Sequence, residues 1–264
     1  MKVPYYHLDA FTQAPFGGNP AAVCLPEREL DERTMQAIAS EKNLPATAFL
    51  APGGAEFTLR WFAPAGELEL CGHATLATGH VVLNVLQRDR PSVRFETRAG
   101  AIEVQRDGER LAIDFPAMPV QREHDPRLVA PAIGLRAAEL WEAEGGRGVA
   151  VLGEAAQVRD LHPDISAIAA LPFSALIVTA RGFDGDSDFV SRNFVPKHGI
   201  AEDFATGSAH CVLAPYWAGA LGKAKLFARQ LSSRGGELWL EDRGARVTIA
   251  GRVAPFAEGT LTLP

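Results

Sequence analysis

Two long segments of this chain, residues 71–87 and 204–222, contain no Asp, Glu, Lys or Arg. A helix on a protein surface needs a polar face, so a helix that is apolar all round must be enclosed by protein. Short predicted strands flank both segments. We therefore expect two domains, each with a sheet wrapped around one central helix. Pro215 lies in the second segment, where its missing N–H is expected to kink or end the helix.

Composition narrows the class of protein. The 264 residues carry a net charge of −6 without a Lys/Arg-rich run, which argues against nucleic-acid binding. No run of eighteen apolar residues predicts a membrane helix, and the first residues do not resemble a secretory signal. The three cysteines are far apart in sequence, which is typical of free thiols in a reducing compartment. We expect a cytoplasmic protein.

Local signals predict one amphipathic helix and many short strands. Asp31 is a predicted N-cap, Met35, Ile38 and Ala39 share one face of the helix that follows, and Asn43 is expected to end it. Alternating apolar residues predict a strand at 57–62. Further short strands are predicted at 92–97, 101–105 and 111–115, among others. A turn is expected at 242–244 between two late strands.

A weak internal repeat relates the two halves. Phe-Ala-Pro at 62–64 precedes Gly-His-Ala at 72–74, and Phe-Val-Pro at 194–196 precedes Gly-Ser-Ala at 207–209. Both copies lie at the start of a charge-free segment, which favours a duplication. We place the domain boundary at Ala117. The predicted domains are residues 1–117, with the last strand at 255–264 as a possible addition, and residues 118–254.

The starts of the two buried helices are candidate ligand sites. The first N–H groups of a helix have no internal partner, and small residues let a ligand approach them closely. Gly72, His73 and Ala74 fit this description, as do Gly207 and Ser208. If the two ends face one cleft, they would bind a carboxylate and stabilise an enolate-like transition state without metal or cofactor. The alternative is that small residues here only permit close packing.

Cys71, His73 and Arg234 also allow other interpretations. A zinc site is disfavoured because no CxxC or HExxH spacing is present. A Cys71–His73 nucleophile pair is disfavoured because residues two apart do not face each other on a helix. An inert buried Cys71 is the alternative, whereas Cys24 and Cys211 are expected to be core residues. Arg234, in "SSRGGEL", either binds a carboxylate or belongs to a turn.

Several stretches together resemble one family. These are "DAFTQAPFGGNPAAVCL", "RWFAPAGELELCGHATLA", "RNFVPKHGIAEDFATGSAHCVLAPYW" and "SSRGGEL". They are similar to the PhzF family of phenazine-biosynthesis-like isomerases, especially its MAWD-binding-protein-like branch. The resemblance implies an α/β (α+β) diaminopimelate-epimerase-like fold with two similar domains. It also implies a homodimer that acts without a cofactor on a small carboxylate.

The resemblance also implies site residues. The family's histidine, aspartate and serine fall on His73, Asp203 and Ser208, whereas Ala46 stands where the family has its proton-shuttling glutamate. Glu41 is not expected to replace that glutamate. The related epimerases use two cysteines, of which only Cys71 has a counterpart here, so Cys71 with Asp203 is an alternative pair.

These positions together predict one function. We expect an isomerase that moves a proton using His73, Asp203 and Cys71, with Ala46 at the position of the absent glutamate. The predicted substrate-binding residues are Gly72, Ala74, Gly207, Ser208 and Asn19, although Asn19 after two glycines is also typical of a turn. No metal site is expected. The alternative is a binding or scaffold protein that keeps the cleft without catalysis.

Overall fold

The chain forms two compact units in the computed structural model, which describes residues 1–53 and 56–263. The first unit comprises Met1–Asp114 together with Ala250–Pro264, and the second comprises Phe115–Ile249. The last residue of the predicted strand at 255–264, Pro264, lies outside the described residues. No helix in the described part of the chain is both long and apolar enough to cross a membrane.

The first unit is built mainly from strands. Its strands are β1 (Lys2–Ala10), β2 (Asn19–Cys24), β3 (Ala46–Gly53), β4 (Glu56–Ala63), β5 (Gly66–Leu68), β6 (Ser92–Thr97), β7 (Gly100–Asp107), β8 (Arg110–Pro116), which runs into the second unit, and β18 (Val253–Thr262). Its helices are α1 (Glu32–Lys42), α2 (Gly72–His80) and a π-helix, Val81–Leu86.

The sheet of the first unit mixes parallel and antiparallel pairs. β1 lies antiparallel to both β2 and β18, so the last strand of the chain pairs with the first. β2 and β3 are parallel, β3 and β4 are antiparallel, and β4 is parallel to β6. β6, β7 and β8 continue as an antiparallel meander. The predicted strands at 57–62, 92–97, 101–105 and 111–115 are confirmed.

Helix α1 begins and ends where its capping residues predict. The Asp31 side chain accepts a hydrogen bond from the Thr34 N–H at 2.9 Å, and Asn43 adopts the left-handed conformation that closes the helix (φ 50°). Met35, Ile38 and Ala39 are buried, as predicted, against Phe49 and Phe62 of the sheet. One amphipathic helix therefore covers one face of this sheet.

The first charge-free segment forms α2 and the π-helix. Every residue of α2 from His73 to Gly79 is buried, and the helix packs against β1, β2, β3, β7 and β18. The prediction of an enclosed central helix is confirmed for this unit. Arg106 of β7 covers the end of the π-helix by donating to the carbonyls of Leu83 and Arg88.

The second unit also combines a sheet with helices. Its strands are β9 (Val120–His124), β10 (Glu139–Ala143), β11 (Arg147–Val151), β12 (Ala175–Arg181), β13 (Phe189–Phe194), β14 (Glu202–Asp203), β15 (Lys225–Gln230), β16 (Gly236–Asp242) and β17 (Arg246–Gly251), which ends in the first unit. Its helices are α3 (Ala130–Ile133), α4 (Ala155–Arg159), α5 (Ile165–Ala170) and α6 (Gly207–Leu221), with 3₁₀ turns at Pro126–Leu128 and Pro196–His198.

The sheet of the second unit again mixes both kinds of pairing. β9, β10 and β11 are antiparallel neighbours, and β11 is parallel to β12. β13 pairs antiparallel with β12 and β14 and parallel with β15, which forms a hairpin with β16. Gly244, with φ 79°, lies in the predicted turn between β16 and β17, where its N–H donates to Asp242. The predicted mixed α/β class is confirmed.

Of the two outcomes predicted for Pro215, a kink or an end, the structure excludes the end, because α6 runs from Gly207 to Leu221. In an unbroken helix the Cys211 carbonyl would accept from the N–H of residue 215, which proline lacks. The backbone N–H of Met118 donates to that carbonyl instead, at 3.0 Å. A segment distant in sequence thus supplies the missing donor, and the helix tolerates its internal proline.

Candidate functional site

The N-terminus of α2 brings Cys71 and His73 together. The Cys71 sulfur lies 3.5 Å from His73 Nδ1 and 3.9 Å from Nε2, and both residues are buried. The expectation that these side chains would not face each other is therefore wrong. Cys71 is the N-cap and has an extended backbone (φ −141°, ψ 97°), so helical spacing does not apply to it.

Small residues surround this pair. Gly72 is partly buried and Ala74 wholly buried in the first turn of α2. The Cys71 carbonyl accepts from both the backbone N–H and the hydroxyl of Thr75, at 3.0 and 2.6 Å, which fixes the start of the helix. The Cys71 thiol and the His73 imidazole thus lie at the positive end of a buried helix dipole.

Asn19 lies in a strand and not in a turn. It is the first residue of β2, is wholly buried, and pairs with Ala10 of β1. Gly18 makes the preceding turn with φ 58°, and a Cβ there would come within 2.1 Å of the Ala10 carbonyl oxygen. The turn chemistry belongs to Gly18, and Asn19 points its amide into the protein.

Ala46 shares a sheet face with Asn19. Ala46 pairs with Ala21 in the parallel ladder, and Asn19 lies two residues before Ala21 on the same strand. The alternate residues Cys24 and Phe49 pack on the α1 side of the sheet. Asn19 and the fully buried Ala46 therefore face the α2 side.

Glu41 lies on the other side of this sheet. It is exposed on α1 and lines a groove of about 700 Å³ between α1 and the end of β18. Its carboxylate does not share the face to which Ala46 belongs. None of the predicted site residues lines that groove.

In the second unit, Asp203 is bound into a buried polar network. Thr206, the N-cap of α6, donates its hydroxyl proton to Asp203 Oδ2 at 2.5 Å. Gln230 at the end of β15 bonds to both residues, accepting from the Thr206 N–H and donating to the Asp203 carbonyl at 2.8 and 2.7 Å. Sequence reasoning missed Gln230, whose signal is a polar side chain at an alternating position after the apolar Leu226 and Ala228.

Gly207 and Ser208 form the first turn of α6 directly after this network. Gly207 is buried, and Ser208 is partly exposed. His210, one turn along, is fully buried and hydrogen-bonds through Nδ1 to the Thr206 carbonyl at 2.8 Å. The structure therefore places Asp203, Gly207 and Ser208 around one helix start.

The loop between β15 and β16 packs on the same segment. The Ser232 hydroxyl donates to the Phe204 carbonyl at 2.6 Å, and the Arg234 guanidinium lies 5.6 Å from the centre of the Phe204 ring. Gly236 leaves room for Ala205, since a Cβ on Gly236 would lie 2.7 Å from that of Ala205. The "SSRGGEL" stretch is thus a loop that closes over residues 204–205.

The remaining cysteines behave as core residues, as predicted. Cys24 and Cys211 are buried and unbridged, and burial raises the pKa of the Cys24 thiol to about 12. Within residues 1–53 and 56–263, no three His, Cys, Asp or Glu side chains are grouped closely enough to hold a metal ion.

The sequence is similar to known proteins over almost its whole length. Residues 8–259 match the model of a family described as phenazine biosynthesis-like protein, PhzC-PhzF. The chain belongs to the PhzF family. A protein of Pseudomonas aeruginosa named as an uncharacterized isomerase is 43% identical over 263 residues, covering 100% of both chains. The human phenazine biosynthesis-like domain-containing protein is 37% identical, and the match covers 99% of this chain and 100% of the human protein.

Solved structures agree with this assignment. A PhzF-family protein of Enterococcus faecalis superposes with a TM-score of 0.95 at 41% identity, covering 100% of both chains. A hydroxyproline epimerase of Agrobacterium vitis superposes with a TM-score of 0.61 at 12% identity, over 99% of this chain and 93% of the other. The second likeness concerns the fold alone, and it confirms the predicted epimerase-like architecture of this PhzF-family chain.

Proposed function

We propose that this PhzF-family protein is a cofactor-independent isomerase that moves a proton on a small carboxylate substrate. The observation that carries the proposal is the Cys71–His73 contact at the start of α2. A thiol at a helix N-terminus can act as a base, because the helix dipole favours the thiolate and the neighbouring imidazole can accept the thiol proton. The name of the P. aeruginosa relative, an uncharacterized isomerase, supports this activity, and the E. faecalis relative supports the PhzF-family assignment.

The proposed reaction needs an acid and a base. One group removes a proton from a carbon next to a carboxylate, and another returns a proton to a carbon of the same molecule. We assign the first role to the Cys71–His73 pair and the second to Asp203. The N–H groups of Gly72, Ala74, Gly207 and Ser208, with the Ser208 hydroxyl and the Asn19 amide, would hold the substrate anion.

Deuterium uptake from D₂O tests this proposal. The protein is incubated with a panel of small amino acids and cyclic unsaturated hydroxy acids, and incorporation is followed by ¹H NMR. We expect uptake into at least one class of acid, with a rate that Cys71→Ala lowers about 100-fold or more because a catalytic base is lost. Cys24→Ala, which also removes a buried thiol from the first unit, should leave the rate within about threefold, since uptake does not use Cys24.

Uptake of no deuterium across the panel would refute the isomerase proposal. Equal rates for Cys71→Ala and Cys24→Ala would exclude the thiol–imidazole pair as the base and leave the other groups to be tested. Size-exclusion chromatography with light scattering tests the predicted homodimer, and the predicted cytoplasmic location needs fractionation of the source cells.

A second candidate function is ligand binding without turnover. Its specific observation is that Ala46, where the resemblance predicts a glutamate, is wholly buried and offers only a methyl group. Glu41 does not share its sheet face. Under this hypothesis the protein binds a carboxylate but lacks the principal base.

Ala46→Glu distinguishes the two candidates. A binding protein that lost its base should gain deuterium uptake with this variant, whereas an active Cys71–His73 enzyme should lose activity because a carboxylate is forced into a filled site. Ala48→Glu, on the same face of β3, is the matched control and should gain no activity. If the unaltered protein takes up deuterium and Ala46→Glu leaves the uptake rate equal or lower, the lost-base hypothesis is contradicted.

A further inference from the structure

Thr206 is the centre of the hydrogen-bond network at the start of α6. Its hydroxyl oxygen is 3.1 Å from Asn193 Nδ2, 3.2 Å from Gln230 Nε2 and 2.5 Å from Asp203 Oδ2. Its N–H is 2.8 Å from Gln230 Oε1, and its carbonyl accepts from His210. Every polar group of this N-cap residue is therefore engaged.

Backbone groups fix the direction of the hydrogen bonds that Gln230 makes. The Thr206 N–H can only donate, so the Gln230 atom beside it must be the amide oxygen. The Gln230 NH₂ then points to the Asp203 carbonyl, at 2.7 Å, and to Thr206 Oγ1. The orientation of the Gln230 amide thus follows from its partners and not from an arbitrary assignment.

The hydroxyl of Thr206 has one proton and two acceptor positions. The NH₂ groups of Gln230 and Asn193 occupy both acceptor positions. The single proton is left for Asp203 Oδ2, to which Thr206 donates over a short distance. The two amides thereby determine which way the hydroxyl points.

Burial separates this network from ordinary surface hydrogen bonding. Gln230 is 0% and Asn193 is 4% exposed, and Asn193 Oδ1 is buried with no hydrogen-bond partner. A buried acceptor without a partner costs free energy that an apolar residue would avoid. Retaining Asn193 at this cost indicates that its NH₂ is needed where it lies.

We propose that Gln230 and Asn193 are positioning residues for Asp203 that act through the Thr206 hydroxyl. By filling both acceptor positions of that hydroxyl, they hold Asp203 Oδ2 as a hydrogen-bond acceptor and fix the orientation of the carboxyl group. A proton that Asp203 exchanges with a ligand is then carried by Oδ1. This last step rests on the proposed isomerase function, whereas the orientation of Asp203 does not.

A substrate-free measurement tests the orientation. The full chain is labelled with ¹³C at aspartate carboxyl carbons, and the Asp203 resonance is assigned with Asp203→Asn. We expect Thr206→Val, which keeps the shape but removes the hydroxyl, to shift this resonance. Thr206→Ser keeps the donor and should leave the resonance in place.

The matched control is Thr179→Val in the same unit. Thr179 is also buried, donates to the Val190 carbonyl at 2.7 Å, and accepts from the Trp217 indole, and none of these partners is Asp203. If Thr179→Val shifts the Asp203 resonance as far as Thr206→Val, or if Thr206→Val leaves it unchanged, the proposal is overturned.

Gln230→Glu provides a second variant, in case Thr206→Val does not fold. At a pH where it is ionised, a glutamate keeps the acceptor for the Thr206 N–H but cannot donate to Oγ1 or to the Asp203 carbonyl. The Thr206 proton can then turn away from Asp203, so the Asp203 resonance should shift in this variant as well. An unchanged resonance in folded Gln230→Glu counts against the proposal.

Deuterium uptake gives the functional readout. For a substrate found with the unaltered protein, Thr206→Val and Gln230→Glu should lower kcat by about 10- to 100-fold, as expected when a reacting group is misplaced. KM should change less than about threefold, and Thr206→Ser should restore kcat to within about threefold. A fall no larger than that of Thr179→Val would reduce the network to a structural role.

The test of the isomerase function and the test of the Asp203 orientation can fail independently of each other. If the unaltered protein exchanges no deuterium, the proposed function is refuted, and the carboxyl resonance still decides whether Thr206 and its two amides orient Asp203.

Discussion

His210 is enclosed by the second unit on all sides. Its ring stacks on Phe189, with 5.8 Å between ring centres, and its Nδ1 is bonded to the Thr206 carbonyl. Burial lowers the pKa of the His210 side chain to about 4, since a charged imidazolium would lose its hydration there. The side chain is therefore neutral in the folded protein at physiological pH.

This pKa predicts a pH-dependent loss of stability. The unfolded chain binds a proton at His210 below about pH 6.5, whereas the folded chain does not until about pH 4. Acidification between these values thus favours the unfolded state, by up to about 3 kcal/mol. The measurement is the free energy of unfolding in urea at several pH values.

The control for this prediction is His210→Gln, which keeps an amide donor for the Thr206 carbonyl but does not titrate. It should lose less stability than the unaltered protein between pH 6.5 and 4. His80 acts in the same direction in both proteins, because burial and Arg106 lower its pKa. Parallel pH curves for the two proteins would contradict the assignment to His210.

At the scale of elements, the two central helices are limited by how closely strands approach them. Gly79 near the end of α2 faces Val104 of β7, and a Cβ on Gly79 would lie 2.5 Å from a Val104 methyl carbon. Gly219 near the end of α6 has no atom within 4 Å of a Cβ built in the same way. Glycine therefore avoids a steric clash in α2, whereas at position 219 of α6 no such clash would arise.

This difference predicts opposite effects for one substitution. Gly219→Ala should stabilise the protein by about 0.5–1 kcal/mol, because alanine is the better helix former. Gly79→Ala should destabilise it by about 1–3 kcal/mol, because overpacking exceeds that gain. Chemical denaturation measures both changes.

A double-mutant cycle tests the cause. Val104→Ala removes the methyl groups that a Cβ on Gly79 would strike, so the pair Gly79→Ala and Val104→Ala should cost less than the sum of the single variants. Additive effects would show that Gly79 is required for a reason other than the approach of Val104.

At the scale of the whole chain, the first unit is completed by residues from both ends. β18 pairs along the full length of β1, and Leu261 and Leu263 pack on the apolar cluster that contains Val3, Met35 and Phe62. The Met1 amino group lies 2.6 Å from the Leu263 carbonyl oxygen. The second unit, in contrast, is one continuous stretch with its own core.

Removal of residues 253–264 should therefore destabilise the first unit selectively. The edge of β1 loses its partner and part of an apolar cluster becomes exposed, so we expect a lower melting temperature and early proteolysis within residues 1–114. Differential scanning calorimetry and limited proteolysis measure this. A circular permutant that joins residues 264 and 1 through a short Gly/Ser linker, and opens between Asp184 and Gly185, keeps β18 and should stay folded.

If the truncated chain melts at the same temperature as the full chain, β18 is not needed for the first unit. If the permutant unfolds as readily as the truncated chain, continuity of the chain matters more than the presence of the strand.

Several features of the fold follow from local sequence. The charge-free segments had to be enclosed, because neither offers a polar face to water. Asp31 and Asn43 delimit α1 through capping interactions that span only a few residues. Sequence motifs also sufficed to indicate the PhzF family. In each case the physical cause acts within one element or is carried by the motif itself.

Tertiary structure alone decided the rest. The Gln230 amide binds Thr206, although the two residues are far apart in sequence. The Met118 N–H likewise reaches the carbonyl that Pro215 leaves without a donor. The Cys71–His73 contact arises because Cys71 lies just outside the helix. The sequence by itself determined which segments are buried, since burial depends on the polarity of each element. Packing determined which polar groups meet inside, because buried donors and acceptors must find partners wherever the fold brings them.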